Sequence, residues 1–157
     1  MSAPNTTAKV PSHLTEFPGA VGLEFVGDWV QIEPERAEQF YLGTYLDRSY
    51  GESLGDGYPD GLIEGFNVLG LLDWMSSELI GRWYGFNYGL DRVRFTKPIT
   101  LHDRIRLRLR VADARERGYG YLVTYEATVE LEGSEKPGMV ATWLVLLLPE
   151  PHPYDEN

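Results

Sequence analysis

One stretch of the chain has almost no polar face. From Gly61 to Gly81 it reads GLIEGFNVLGLLDWMSSELIG. Leu62, Ile63, Phe66, Val68, Leu69, Leu71, Leu72, Trp74, Met75, Leu79 and Ile80 leave a thin polar stripe at Asn67, Asp73, Ser76, Ser77 and Glu78. The pattern predicts one helix of about five turns. A helix apolar on nearly every face has to be enclosed. Glu64 and Asp73 interrupt it, and it is short for a membrane span. Pro59 and the glycines at 55, 57 and 61 break the chain before it, which leaves its N-terminus free to face a ligand.

Beyond Gly81 the chain mostly alternates with the period of strands. Tyr84, Phe86 and Tyr88 alternate, followed by Val93 and Phe95, and Pro98 ends that run before a turn at Leu101–His102–Asp103. In RIRLRLRVAD, Ile105, Leu107, Leu109 and Val111 share one face and arginines the other, as in a half-buried strand. YLVTYEATVELEG alternates again, and MVATWLVLLL is apolar enough to lie centrally. RERGYG and GSEKPG read as turns. Upstream, DWVQI suits a short strand. Pro34, flanked by Glu33 and Glu35, suits a helix start. ERAEQFYLGTYL then forms a helix with Ala37, Phe40, Tyr41 and Tyr45 toward the core. Asp47 to Asp60 is a long, acidic, glycine-rich loop, and loops of that length are usually functional or mobile. The expected organisation is a loose arm over 1–18, a single domain over 19–149 and a tail over 150–157. An antiparallel meander wrapped around one buried helix is an α+β domain. It leaves a sheet edge open, which pairing of two units would hide.

Composition narrows the function classes. A chain of 157 residues is long enough for one domain with a real core. Met1 to Pro11 lacks the apolar segment of a signal peptide, so a cytoplasmic protein is expected. There is no cysteine, hence no disulfide framework and no thiolate zinc site. His13, His102 and His152 are scattered and read as surface residues. Only an all-oxygen metal site would remain possible, and neither a metal nor a cofactor is expected. The net charge of −10 argues against nucleic acid. Yet Arg92, Arg94, Lys97, Arg104, Arg106, Arg108, Arg110, Arg115 and Arg117 crowd into one third of the chain. They form either a solvated sheet face or a contact for an anionic ligand tail such as a phosphate.

Four phrases carry a family likeness: DWVQIEPERAEQF, GLIEGFNVLGLL, FNYGLDRVRFTKPITLHDRIRLRLRV and GSEKPGMVATWL. Together they resemble the MaoC-like branch of the hotdog superfamily, the R-specific enoyl-CoA hydratases and dehydratases, over Asp28 to Leu148. The resemblance implies a hotdog fold, an acyl-thioester substrate, no cofactor, and a homodimer or a heterodimer with another hotdog chain. In that family an Asp and, five residues later, a His come after the first helix and hold the water. Backbone at the start of the central helix polarises the thioester carbonyl. In GTYLDRSYGE, one extra residue places Asp47 on the Asp position and Glu52 on the His position; without it, Leu46 and Gly51 fall there. In both registers the His is absent. Glu64–Gly65–Phe66 stands where the family carries His-Gly-Phe, and Gly70 replaces a small hydroxyl.

The candidate catalytic residues are therefore Asp47, Glu52 and Glu64, with Tyr50, Gly65, Phe66, Asn67 and Tyr88 as substrate-binding residues. If Asp47 and Glu52 face each other in a partly dry cleft, one of them is pushed to hold a proton, and the pair can serve as acid and base in place of the family's Asp and His. Glycine at 65 would let a ligand approach the helix N-terminus closely. Trp74, Trp83, Tyr84, Phe86 and Tyr88 are expected mostly in the core, with some of them lining an apolar tunnel for an acyl or ring-bearing group. Plainer roles stay open: a solvated acidic loop tip, an ordinary helix-start glutamate, a packing glycine. Three functions suit these residues. The first is a hydratase or dehydratase. The second is a scaffold turned to isomerisation, cyclisation or thioester hydrolysis through Glu64. The third is a non-catalytic partner of an active hotdog chain.

Overall fold

The alternating stretches form one antiparallel sheet. In a computed structural model, which describes residues 8–150, the strands are β1 (Glu24–Val26), β2 (Leu62–Ile63), β3 (Gly85–Phe95), β4 (Ile99–Thr100), β5 (Ile105–Arg117), β6 (Gly120–Leu131) and β7 (Met139–Leu147). The helices are α1 (Pro34–Gly43), α2 (Leu46–Tyr50), α3 (Gly65–Gly70) and α4 (Leu72–Ile80). The main sheet runs β1-β5-β6-β7-β3, and β2 pairs with β4 as a separate ribbon. Val68, Leu72, Met75, Leu79 and Ile80 of the central helix share a core with Leu107, Leu109, Val123, Tyr125 and Trp143 of the sheet. This is the expected α+β arrangement, a sheet around one helix. No helix among the described residues is long and apolar enough to cross a membrane.

Several local expectations are corrected. The central helix begins at Gly65, not Gly61. Gly61 takes a left-handed φ of 67°, and Leu62 and Ile63 pair with Thr100 and Ile99. Their backbone groups are committed to that ribbon before the helix starts. The helix is also broken near Gly70. The Leu71 N–H is shared between the carbonyls of Asn67 (3.1 Å) and Val68 (3.2 Å), a tightened turn at a residue type that costs helix stability. Nor is it fully enclosed, since Phe66 is 74% exposed. DWVQI supplies only an isolated bridge between Val30 and Ile105; the true first strand lies upstream at β1. No residue of α1 is buried. Ala37, Phe40 and Tyr41 are half-buried, but Tyr45 is 60% exposed because it adopts a left-handed φ of 60° that separates α1 from α2. Phe17, inside the expected arm, is buried with its ring edge-on to Trp83 at 5.0 Å. Residues 1–7 and 151–157, hence most of the expected tail, lie outside the described residues.

Arg104, just before β5, and Arg106, Arg108 and Arg110, in its first half, form the solvated face. Arg104 pairs with Glu132 at 3.1 Å and Arg110 with Glu126 at 2.7 Å. Arg106 and Arg108 both hold Glu130, at 2.6 and 2.7 Å, and Arg108 also reaches Glu24 at 2.6 Å. The register explains it: Arg106 is opposite Glu130 and Arg110 opposite Glu126. Burial alone would raise the Glu130 pKa, but hydrogen bonds from Arg108 and Arg106 outweigh it and hold the carboxyl below its ordinary value. A depressed folded pKa stabilises the fold above the unfolded pKa and loses that contribution as pH falls through the folded one. Glu130→Gln is therefore expected to cost about 1 kcal/mol at pH 7. In thermal melts over a pH series, its difference from wild type should close below about pH 4.

Candidate active site

The residues Glu64–Gly65–Phe66 stand where two hollows meet. Buried Ile63 anchors the ribbon β2–β4, and Glu64 comes next in extended conformation (φ −60°, ψ 143°) as the cap of α3. The Glu64 carbonyl accepts the N–H groups of Asn67 at 2.9 Å and Val68 at 3.1 Å. Its carboxylate lies beside the positive end of the helix. On one side is a cavity of about 590 Å³ whose walls include Glu38, Tyr41, Glu52, Asp56, Asp60 and Glu64. Glu38 and Tyr41 are three apart on α1 and so share a face.

Tyr41 organises this cavity. Its hydroxyl donates to the Gly51 carbonyl at 2.9 Å and ties the loop to α1. Desolvation first, then the charges of Asp47 and Glu64 and the nearby Tyr50, push the phenol above its ordinary pKa. It thus remains a proton donor at neutral pH. The sequence marks Tyr41 only as an apolar-face residue, and nothing there separates it from the nine other tyrosines. Glu52 and Glu64 share the cavity wall. Asp47, on α2, does not line it, although its charge acts on Tyr41. Tyr50 is exposed at the end of α2.

Gly65 is needed for a reason the spacing does not show. A Cβ there would sit 2.9 Å from the Phe95 ring, so glycine lets that ring pack against the start of the helix. Phe66 lies edge-on to the same ring at 6.2 Å. Asn67 is 8% exposed, and its Nδ2 is a buried donor with no hydrogen-bond partner among the described residues. Tyr88, on β3, lies across the second hollow and carries the Arg117 guanidinium 4.5 Å above its ring.

That second hollow, about 440 Å³, runs between Phe66, Leu69 and Asp73 of the helix and Asn87, Tyr88 and Leu90 of β3. A third, of about 360 Å³, continues along α4 between Trp74, Trp83, Tyr125 and Trp143. Asp73 and Trp143 border both. Glu64 faces the acidic cavity while Phe66 faces the aromatic groove. The arrangement offers proton-handling groups on one side of a helix N-terminus and an apolar channel on the other. His102 is exposed and sits 3.3 Å from Asp60, His13 is exposed, and His152 lies outside the described residues. No three His, Asp or Glu side chains among the described residues are placed to hold a metal.

No protein-family model matches the chain. Two proteins named nodulation protein N are similar to it. That of Rhizobium leguminosarum bv. viciae is 29% identical over 153 residues, 88% of this chain and 93% of its own length. That of Rhizobium meliloti is 30% identical over 147 residues, 85% and 89% of the two chains. The 3-hydroxyacyl-thioester dehydratase Z of Mycobacterium tuberculosis is 31% identical over 121 residues, 74% and 70%. Among solved structures, the MaoC-like dehydratase from Rhodospirillum rubrum superposes with a TM-score of 0.62 at 14% identity, covering 85% of this chain and 95% of that one. The (R)-hydratase from A. caviae superposes at 0.60 with 13% identity, covering 82% and 96%. At such identities these two structures attest the fold.

Proposed function

Since the chain belongs to the MaoC-like hydratase and dehydratase family of hotdog proteins, we propose that it is an acyl-thioester hydro-lyase in which carboxylates replace the family's Asp–His pair. One observation carries this reading: Glu52 and Glu64 share the wall of one cavity at the start of the central helix. In the dehydration direction, Glu64 takes the C2 proton of a 3-hydroxyacyl thioester. The Glu52 carboxyl gives a proton to the departing C3 hydroxyl, which leaves as water, and the C2–C3 double bond forms. Hydration is the reverse. The first N–H groups of the helix lack intrahelical acceptors and can receive the thioester oxygen as it gains charge. The Asn67 amide, buried one turn in, is a further donor for that oxygen. Tyr41 holds the loop, and Asp47 supports its charge environment. The acyl group passes Phe66 and Tyr88 into the aromatic groove.

The test is direct. Pure protein incubated with crotonyl-CoA and longer enoyl-CoAs should yield products heavier by one water. Unchanged thioesters, in the presence of bound ligand by thermal shift, would assign the chain to a non-catalytic role beside an active partner. Release of free CoA would instead assign Glu64 to thioester hydrolysis.

The open edge of β3 supports pairing with another hotdog chain, a second copy or a different one. Phe86, Tyr88 and Leu90 are exposed there, and β3 hydrogen-bonds only to β7 within the main sheet. Native mass spectrometry of the pure protein is expected to show a dimer. The double variant Phe86→Glu, Leu90→Lys should shift it to monomer while melting as a folded protein; a wild-type monomer leaves the heterodimer.

A further inference from the structure

The aromatic groove has a polar bar across its middle that acid–base chemistry at Glu64 does not use. The Trp143 indole N–H donates to Asn87 Oδ1 at 2.8 Å. Asn87 Nδ2 donates to Asp73 Oδ2 at 2.9 Å. An indole nitrogen can only donate, so it fixes which way the amide of Asn87 points, and that in turn aims the NH₂ at Asp73. The relay links β7, β3 and α4, and it holds the carboxylate of Asp73 at the junction of the two aromatic hollows. Asp73 forms no ion pair among the described residues. Asp73 is exposed, and among the described residues its second oxygen has no hydrogen-bond donor, so it can accept one from a ligand in the groove.

A purely alkyl chain gains nothing from a carboxylate at that point, and desolvating the carboxylate without a donor costs free energy. A ring-bearing chain with a hydroxyl or amine suits it: the ring packs on the indoles and the donor meets Asp73. Asp73 lies eight residues beyond Gly65, across the break near Gly70; at the rise of a helix that is roughly 12 Å from the point where a thioester carbonyl would sit. We propose that Asp73, positioned by Asn87 and Trp143, is a specificity-determining acceptor that selects acyl groups carrying a ring and a hydrogen-bond donor about 12 Å from the thioester carbon. This rests on the hydro-lyase reading for the position of the thioester, but not for the binding of the ring.

The experiment uses the full chain and two matched substrates, 5-phenylpent-2-enoyl-CoA and 5-(4-hydroxyphenyl)pent-2-enoyl-CoA. Wild type is expected to favour the hydroxylated substrate about tenfold in kcat/KM, the yield of one good hydrogen bond. Asp73→Ala should erase that preference, bringing the ratio of kcat/KM for the two substrates from about ten to about one. Asp73→Asn, which keeps the side-chain volume, covers the case in which the alanine variant is unstable. No preference in wild type, or an equal loss on both substrates, overturns the proposal. A second measurement is independent of turnover: tryptophan fluorescence titrated with 4-propylphenol and with propylbenzene. Tighter binding of the phenol by wild type, lost in the Asp73 variants, sustains the proposal even if no thioester reacts, in which case the hydro-lyase reading fails alone. Equal binding of the two probes, or binding of neither, overturns the selectivity even if thioesters are hydrated.

Discussion

Glu64→Gln is expected to lower kcat for hydration of enoyl-CoA by two to four orders of magnitude, the range lost with a positioned acid or base. Glutamine keeps the size of the side chain and its place at the cap of α3, so the helix is preserved. What disappears is the group that takes the C2 proton. KM should change little, because the thioester is held by backbone and by the aromatic groove rather than by this carboxylate. A Glu64→Gln enzyme that retains full turnover, with melting temperature unchanged, removes Glu64 from the chemistry. The same assay on Glu52→Gln tells whether the second carboxylate of the cavity participates. A large loss at Glu64 alone would make Glu64 both acid and base through a bound water. Asp47→Asn should be milder, since Asp47 does not line the cavity and acts on it through Tyr41.

The other large effect is on stability. Gly120 opens β6 directly after the turn, opposite Arg117 of β5 and beside the last pairs of β7. A Cβ at this position would run into the backbone carbonyl of Leu147. A carbonyl in a hydrogen-bonded ladder cannot swing aside as a side chain can. Gly120→Ala therefore has to displace β7 from β6, where Tyr121 and Leu147 are register partners and the flanking side chains are buried. We expect a loss of about 3 kcal/mol, or roughly 10 °C in melting temperature for a chain of this size. A thermal melt decides it, and a loss under about 1 kcal/mol would show that the end of the β6–β7 pairing is slack. Gly65 makes an instructive contrast. Its neighbour is the ring of Phe95, which is 48% exposed and can move.

The strands were readable because their signal is local. In β5 the period-two alternation of Ile105, Leu107, Leu109 and Val111 survives intact as buried positions, with the arginines facing water. β7 reads as apolar and lies inside the sheet, between β6 and β3. The central helix was readable for the same reason, but its first turn was not. Leu62 and Ile63 have the right composition for a helix and lose that fate to β4, a partner 36 residues further on. Similarly, Tyr45 sits in phase with the face of α1 but leaves it through one left-handed residue. Helix ends depend on who else competes for the backbone, and a local pattern carries no record of a distant competitor.

The site divides along the same line. By itself, the sequence determined that a sheet must cover one apolar helix, and it marked Asp47, Glu52 and Glu64 as candidate carboxylates near the start of that helix in a stretch, 44–60, that holds no histidine. Those facts come from residue type and short-range periodicity. Only the tertiary structure decided that Glu52 and Glu64 face one cavity while Asp47 stays off its wall. It alone laid Phe95 over Gly65, set Tyr41 of the apolar face of α1 among the acidic groups, and joined Asp73, Asn87 and Trp143 from three separate elements. Each of these contacts joins side chains carried on separate segments, so its geometry depends on how whole elements pack, which side-chain periodicity does not encode.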